Sequence, residues 1–430
     1  MTSHTTGPSR SQVGRDYLWN TAASVMLSLA TVIQSVLVTR AAGLWAGGMF
    51  ALAIAVGVQF QTLGMYEVRT YQATDLAYRF SFGTYLATRL TTVSAMVVGI
   101  IGYAFVSGGT TDDVLIIIMV ACFKAFDAFE DVFMCEFQRR GRLDVGGRAV
   151  FFRALTTTAV FAVALVSTSD LLVSAAVTLV ASVVATAALL LPPARGRFPV
   201  RPQWGWRPVA QVLGTCLPLF MALFLSMFLA NAPRFAIDHY LDPTVQGYFQ
   251  ILFMPAFAIN LISQVVFRPL LTTMATRWTQ GDRRGFAALV WRGLAATAAA
   301  FALVGLVCLV VGLPLLGAVY GKDVSGYLGE LMVVVTGGAV NAAGVVLYYA
   351  LATMRLQRLV FAGYVAASAA VTGLCVLLVP RYGMLGAAAS YGLAMAVLCT
   401  VFVTGLVRGL RRAPHPDVKT GLHDVVAERL

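Results

Sequence analysis

Twelve apolar stretches, each 18 to 28 residues long, divide the 430-residue chain: Tyr17 to Val38, Leu44 to Tyr66, Phe82 to Val106, Val114 to Cys135, Ala149 to Val166, Leu171 to Leu191, Val209 to Asn231, Val245 to Phe267, Phe286 to Leu313, Leu328 to Leu351, Val360 to Val379 and Leu385 to Val407. A bilayer core about 30 Å thick needs roughly 20 apolar residues per helix, so every stretch is long enough to cross. They are unbroken runs rather than the alternating ten-residue segments of a membrane barrel. With 59% apolar and only 12% charged residues, the chain reads as an all-α polytopic membrane protein. The formal charge of +12 on so apolar a chain excludes nucleic acid as the partner, because that binding needs a polar basic surface. The connections leave no room for a soluble catalytic or nucleotide-binding domain. Gly317 to Asp323, GAVYGKD, lacks the spacing and the Ser/Thr of a phosphate loop. The chain is therefore expected to be no enzyme and to carry no cofactor. No signal-type n-region or cleavage site flanks the first stretch, which is expected to be retained as a helix.

Lys and Arg sort by side. Of the 31, 26 fall in loops on the side of the termini, Arg89 and Arg153 among them. The opposite loops hold Arg40, Arg234, Lys322 and Arg381, and Lys124 alone is assigned to the body of a span rather than to a loop or span end. The positive-inside rule makes the termini cytoplasmic. All six Cys lie in or at the ends of spans and read as apolar packing residues, not a disulfide framework. Three of the four His lie in the tails, which rules out a His-based metal cluster as a function; no metal is expected.

Weak internal matches divide the chain in two. Gly48-Met49-Phe50 opens span two as Gly247-Tyr248-Phe249 opens span eight, Arg69 follows span two as Arg268 follows span eight, and Arg40 and Arg234 close spans one and seven. Six spans per half is an even number, so the copies enter the membrane alike and form a parallel repeat. The expected organisation is an N-terminal six-helix bundle at 1–191, a Pro- and Arg-rich linker at 192–208, a C-terminal bundle at 209–408 and a tail at 409–430.

Span four carries charges that hydrocarbon does not tolerate. At 100° per residue, Lys124, Asp127, Glu130 and Asp131 share an arc of about 120°. Each charge costs roughly 2.5–3.5 kcal/mol near a helix centre, so this face should line an enclosed or hydrated cavity. Two readings follow. Lys124 binds an anionic group, with Asp127, Glu130 and Asp131 available for a coupling cation, or the four form a static network that holds the bundle together. Arg40 and Arg234, at corresponding ends of the halves, would reach the outer mouth of a central cavity and attract anions. Arg69 and Arg268 are weaker candidates, since topology already accounts for basic residues there. Phe123, Phe126, Phe129 and Phe133 read as packing residues rather than sugar platforms. Asn20, Gln34, Gln59, Asn231, Asn260, Gln264 and Asn341 read as interhelical contacts or cavity lining. Pro218, Pro255, Pro314 and Gly337-Gly338 are positions where spans can kink.

Thr39-Arg40-Ala41-Ala42-Gly43 with Gly48-Met49-Phe50, Lys124-Ala125-Phe126 with Glu130-Asp131-Val132-Phe133, Phe137 to Asp144, and Tyr382-Gly383-Met384-Leu385-Gly386 occur in an order that resembles polysaccharide transporters. These are the O-antigen-type (Wzx-like) flippases of the multidrug/oligosaccharidyl-lipid/polysaccharide exporter superfamily. The resemblance covers nearly the whole chain. It implies two pseudo-symmetric six-helix bundles around a cavity open alternately to either side of a bacterial cytoplasmic membrane. The implied cargo is a polyprenyl-diphosphate-linked oligosaccharide for surface polysaccharide, moved from the cytoplasmic to the outer leaflet amid membrane lipids. Span four adds more acid than base, which departs from a purely cationic cavity and leaves room for proton or sodium coupling. The alternative within the same superfamily is a cation-coupled exporter of drugs or small metabolites.

Overall fold

The computed structural model describes residues 10–75, 78–267 and 270–411, and the side chains of all of these except 10 and 257–272. The first half comprises α1 (Arg10–Ala41), α2 (Gly43–Met65), α3 (Val68–Thr74), α4 (Phe82–Ser107), α5 (Thr111–Ala121), α6 (Phe123–Arg139), α7 (Leu143–Thr168) and α8 (Leu171–Leu189). A short α9 (Leu191–Arg195) leads into the second half: α10 (Trp206–Tyr240), α11 (Pro243–Phe267), α12 (Leu270–Thr279), α13 (Arg283–Val307), a π turn at Cys308–Gly312, α14 (Leu313–Tyr320), α15 (Leu328–Thr353) and α16 (Gln357–Arg411). Among the described residues, nine helices are long and apolar enough to cross a membrane. The other expected spans have physical reasons to fall outside that set. Span four is divided at Cys122 into α5 and α6 and carries the four charges. Span eight is α11, part of which lies where side chains are not described. Spans eleven and twelve are continuous as α16, which bends at Gly383 (φ 57°, ψ −132°), a conformation open to glycine and strained for other residues. The protein is thus a multi-pass, all-helical membrane protein.

Helices dominate because hydrocarbon offers no partner for a backbone N–H or C=O. Their ends need other partners. Ser81 accepts from the Thr84 amide, Thr110 and Asp113 form a reciprocal capping box, and Asp170 accepts from the amides of Leu172 and Val173. Inside α8, Ser174, Thr178 and Ser182 each donate back to the carbonyl four residues earlier, which satisfies hydroxyls that lipid could not. The outward faces are apolar, with Val98, Phe105, Val163, Val180, Leu306 and Val310 exposed toward the lipid.

Buried apolar residues separate into a core drawn from the second half and cores drawn from the first. Helix α10 crosses between them: Val212 and Cys216 are buried in a first-half core, while Leu229, Ala232 and Ile237 belong to the second-half core. The linker also packs on the first half, where Phe198 is buried and the Gln203 amide donates to the Gly83 carbonyl at 2.9 Å. Helix α15 runs unbroken through Gly337-Gly338. These glycines serve close packing, Gly337 against Tyr391 and Gly338 against Ala256.

The side on which α1 begins and α16 ends is here the terminal side, and the opposite one the far side. The halves are joined on the far side by three sets of contacts. Gly48 of α2 and Gly247 of α11, the pair related by the sequence repeat, meet at a helix crossing. A Cβ on Gly48 would overlap the Pro243 carbonyl, and one on Gly247 the Leu44 carbonyl. Arg40 donates through Nε to the Val319 carbonyl at 2.7 Å and through Nη2 to the Ala318 carbonyl, which caps the C-terminus of α14. Asp238 Oδ2 accepts from Tyr103 at 2.9 Å and Ser107 at 2.7 Å, tying α10 to α4. Because no side chain fits between α2 and α11, Gly48→Val should hold the far side apart. A cysteine placed at Gln250, on the cavity wall, would then react with an impermeant maleimide applied from the far side; protection equal to that in the Gly48 protein would show that the crossing is not the seal.

Candidate substrate cavity and its charge network

Between the halves lies a cavity of about 670 Å³, within the range of small-molecule sites. Its first-half wall mixes apolar residues with polar ones: Asn20, Ser24, Ser28 and Thr31 along α1, Gln61 on α2, Arg69 on α3, and Lys124, Asp127, Glu130 and Asp131 on α6. Asn231 and Arg234 on α10, Gln250 and Phe253 on α11, Asn341 on α15 and Tyr391 on α16 form the second-half wall. The helical spacing of 124, 127, 130 and 131 turns all four charges to one side, and α6 is short enough that this side meets both the cavity and α7.

The charges form two linked clusters. Asp127 accepts from Lys124 Nζ at 3.2 Å and from Arg153 at 2.6 Å, and Arg153 Nε lies 2.7 Å from Glu130 Oε1. Thr186 of α8 donates to the same Glu130 oxygen at 3.3 Å, and Glu130 Oε2 is buried without a hydrogen-bond partner. Asp131 is held on one oxygen by Arg69 at 3.0 Å and on the other by Arg89 at 2.8 Å. Arg89, 0% exposed, also donates to the Gly64 carbonyl at 2.6 Å. Thr92 donates to that carbonyl too, so both satisfy an acceptor left open where α2 ends.

This arrangement changes the sequence-level charge balance. Arg89 and Arg153, assigned to terminal-side loops, are buried in α4 and α7 and face the acids of α6. The excess of acid expected in span four is thereby neutralised: Asp127, Glu130 and Asp131 meet Lys124, Arg153, Arg89 and Arg69. Hydropathy placed both arginines at the ends of apolar runs, where the positive-inside rule already accounts for them. Only the pairing of α4 and α7 with α6 reveals their partners.

The remaining candidates occupy different places. Arg40 lies on the far side at α14, outside the cavity lining. Arg234 lines the cavity itself, is largely buried, and sits 4.5 Å over the Phe253 ring. Its terminal nitrogens donate to Asn231 Oδ1 and Gln250 Oε1, both at 3.3 Å, and its Nε is buried without a partner. Among the described residues it meets no carboxylate. Arg69 lines the cavity with 38% of its side chain exposed and also donates to Gln138. Arg268, with Asn260 and Gln264, lies outside the residues whose side chains are described. Phe133 packs on Phe82 and Phe129, and Phe123 on Phe161, as core rings. Gln59 donates to the Phe224 carbonyl at 3.2 Å and joins α2 to α10, whereas Asn20, Asn231 and Asn341 line the cavity.

The geometry separates support from reach. Arg153, which also serves Glu130, donates to Asp127 from behind, so Lys124 can leave Asp127 for another anion without removing its last charged donor. Arg89 has no such freedom, since its removal would leave Asp131 and the Gly64 carbonyl short of a buried donor. Losing one partner of a buried pair costs about 3–5 kcal/mol. Arg89→Ala should therefore lower the thermal midpoint of the purified protein in detergent, while Lys124→Ala leaves it near the parent value; equal losses would make Lys124 as structural as Arg89.

No family model and no curated protein matches the chain. Its fold is nevertheless similar to solved structures. The lipid II flippase MurJ in an inward closed conformation aligns with TM-score 0.69 and 11% identity over 95% of this chain and 91% of that one. An inward-facing multidrug resistance MATE family transporter of the MOP superfamily aligns with TM-score 0.61 and 11% identity over 89% and 93%. The Vibrio cholerae MATE transporter VcmN aligns with TM-score 0.58 and 13% identity over 93% and 98%. At such identities the likeness is one of architecture: the chain has the fold shared by the MurJ flippase and the MATE transporters of the MOP superfamily.

Proposed function

We propose that the chain moves a polyprenyl-diphosphate-linked oligosaccharide from the cytoplasmic to the outer leaflet of a bacterial membrane by alternating access. The observation that carries this reading is Arg234, a buried guanidinium on the cavity wall held only by amide oxygens and an aromatic face. A buried cation without a counter-charge is costly, and an incoming anion relieves that cost. The planar fork of a guanidinium suits phosphate oxygens. Lys124, on the opposite wall, offers a second cation that Arg153 leaves free to move. A diphosphate and its sugars cannot enter hydrocarbon unaided, whereas the polyprenyl tail stays in lipid. The positive-inside bias makes the terminal side cytoplasmic, so the far-side contacts of Gly48, Arg40 and Asp238 close the cavity toward the outer leaflet.

The alternative is a cation-coupled exporter of drugs or metabolites, a reading that the MATE neighbours keep in play. It needs a carboxylate available to a cation, and each acid of α6 has an arginine partner. One carboxylate oxygen stands apart: Glu130 Oε2, buried and without a hydrogen-bond partner, is the position at which a coupling proton would be taken up.

Deletion of the gene should leave the lipid-linked glycan on the cytoplasmic face, with surface polymer lost. Unchanged glycan with altered drug tolerance would favour the exporter. In complemented cells, Arg234→Gln and Lys124→Ala should each reduce surface polymer by about tenfold, the equivalent of one charge-assisted hydrogen bond. Transport that loses its dependence on the proton gradient in Glu130→Gln, while Asp127→Asn retains it, would place the proton on Glu130; dependence retained in Glu130→Gln removes that assignment.

A further inference from the structure

A second cleft, of about 350 Å³, opens off the main cavity between α10, α15 and α16 and shares Met227, Ala230 and Asn341 with it. Its character differs from that of the main cavity. Tyr348 and Tyr349 of α15 and Tyr364 of α16 line it, with Ser226 and Asn341 as further polar groups and Glu67 from the first half. Among the described residues, no cation lines this cleft. The Tyr348 and Tyr349 rings stand edge to face with centroids 5.5 Å apart, and Tyr364 is braced in the same manner on Phe402 at 5.8 Å.

Glu67 is brought to the cleft at some conformational expense. It and Tyr66 are successive non-glycine residues in the left-handed region, with φ of 52° and 47°. The turn is stabilised by Tyr66, which stacks on Phe220 of α10 with centroids 4.3 Å apart. Thr70 holds one Glu67 oxygen at 2.7 Å. Backbone strain of this kind persists where surrounding structure over-determines it and often marks a working site.

We propose that this cleft is a carbohydrate subsite, a reading that rests on the proposed function above. A pyranose presents an apolar C–H face and an equatorial rim of hydroxyls. Tyrosine rings match the face, and tyrosine hydroxyls, a serine, an asparagine amide and a carboxylate match the rim. The absence of a lining cation separates the two compartments chemically: diphosphate belongs at Arg234 in the main cavity, and the sugars beyond Asn341 in the cleft. The substrate is thus recognised at two points, with the sugar subsite adding affinity to a lipid diphosphate rather than replacing it.

The full chain in lipid nanodiscs tests this with two ligands: bare polyprenyl diphosphate, and the lipid-linked glycan extracted from cells that lack the gene. The parent protein should bind the glycan-bearing lipid about tenfold more tightly than the bare one. Tyr348→Ala should abolish that advantage and leave bare-lipid affinity unchanged, whereas Arg234→Gln should weaken both. Unchanged bare-lipid affinity also shows that the tyrosine variant is folded; should it fail to fold, Glu67→Ala, at the cleft mouth, must show the same selective loss. Equal affinity of the parent for both lipids, or an advantage that survives the substitutions, overturns the subsite while leaving the proposed function standing. Failure of the parent to bind either lipid, or no accumulated lipid to extract, overturns the proposed function itself.

Discussion

Three carboxylates on one face of a short helix set the terms for the first half of this protein. In hydrocarbon, Asp127, Glu130 and Asp131 would be prohibitive alone, and each has therefore drawn a guanidinium from another element: Arg153 from α7, Arg89 from α4 and Arg69 from α3. These pairs fix where α4, α6 and α7 stand relative to one another. They also decide which charges remain available. Arg89 is committed to Asp131 and to the end of α2 and Arg153 to Asp127 and Glu130, while Lys124 and Arg69 each share a carboxylate with one of these two and line the cavity.

Among the described residues, the second half has no comparable network. Its wall of the cavity offers Arg234 with amides and aromatic rings, so the two sides of the cavity differ in kind: a face carrying paired charges opposite a largely buried arginine that meets no carboxylate among the described residues. An anion entering between them meets Arg234 first in electrostatic terms, because every acid opposite is already paired. The tyrosine-lined cleft behind Asn341 extends the second-half wall without adding charge. The described charges thus divide between a half bound together by ion pairs and a half whose cavity wall carries an arginine with no ion pair.

The repeat has a mechanical consequence. Gly48 and Gly247 occupy equivalent positions in the two halves and meet each other at the far side, so the internal symmetry of the chain becomes a physical contact. Backbone against backbone is an all-or-none seal; it either closes fully or is open. Arg40 on the α14 carbonyls and Asp238 between Tyr103 and Ser107 are polar contacts that can be exchanged for water at modest cost when that seal parts. Helix α10 is buried in both cores and ties the halves together along its length.

Much of the architecture was legible in the residues because the bilayer is a severe and simple solvent. Runs of about 20 apolar residues, the sorting of Lys and Arg, and charges sharing one arc of span four follow from chain order and helical periodicity alone. What chain order does not carry is which helix lies beside which. Arg89 and Arg153 read as topological signals because each stands near the end of an apolar run, and only packing against α6 makes them counter-ions. Arg40 and Arg234, matched in the sequence, were separated by the same cause: one reaches the carbonyl end of α14 across the far side, while the other turns into the cavity, where it meets no carboxylate among the described residues. The apolar spans and the presence of intramembrane charge were readable from chain order, since those depend on local hydrophobicity. The tertiary structure decided the role of each charge, since that depends on which groups share the same low-dielectric space.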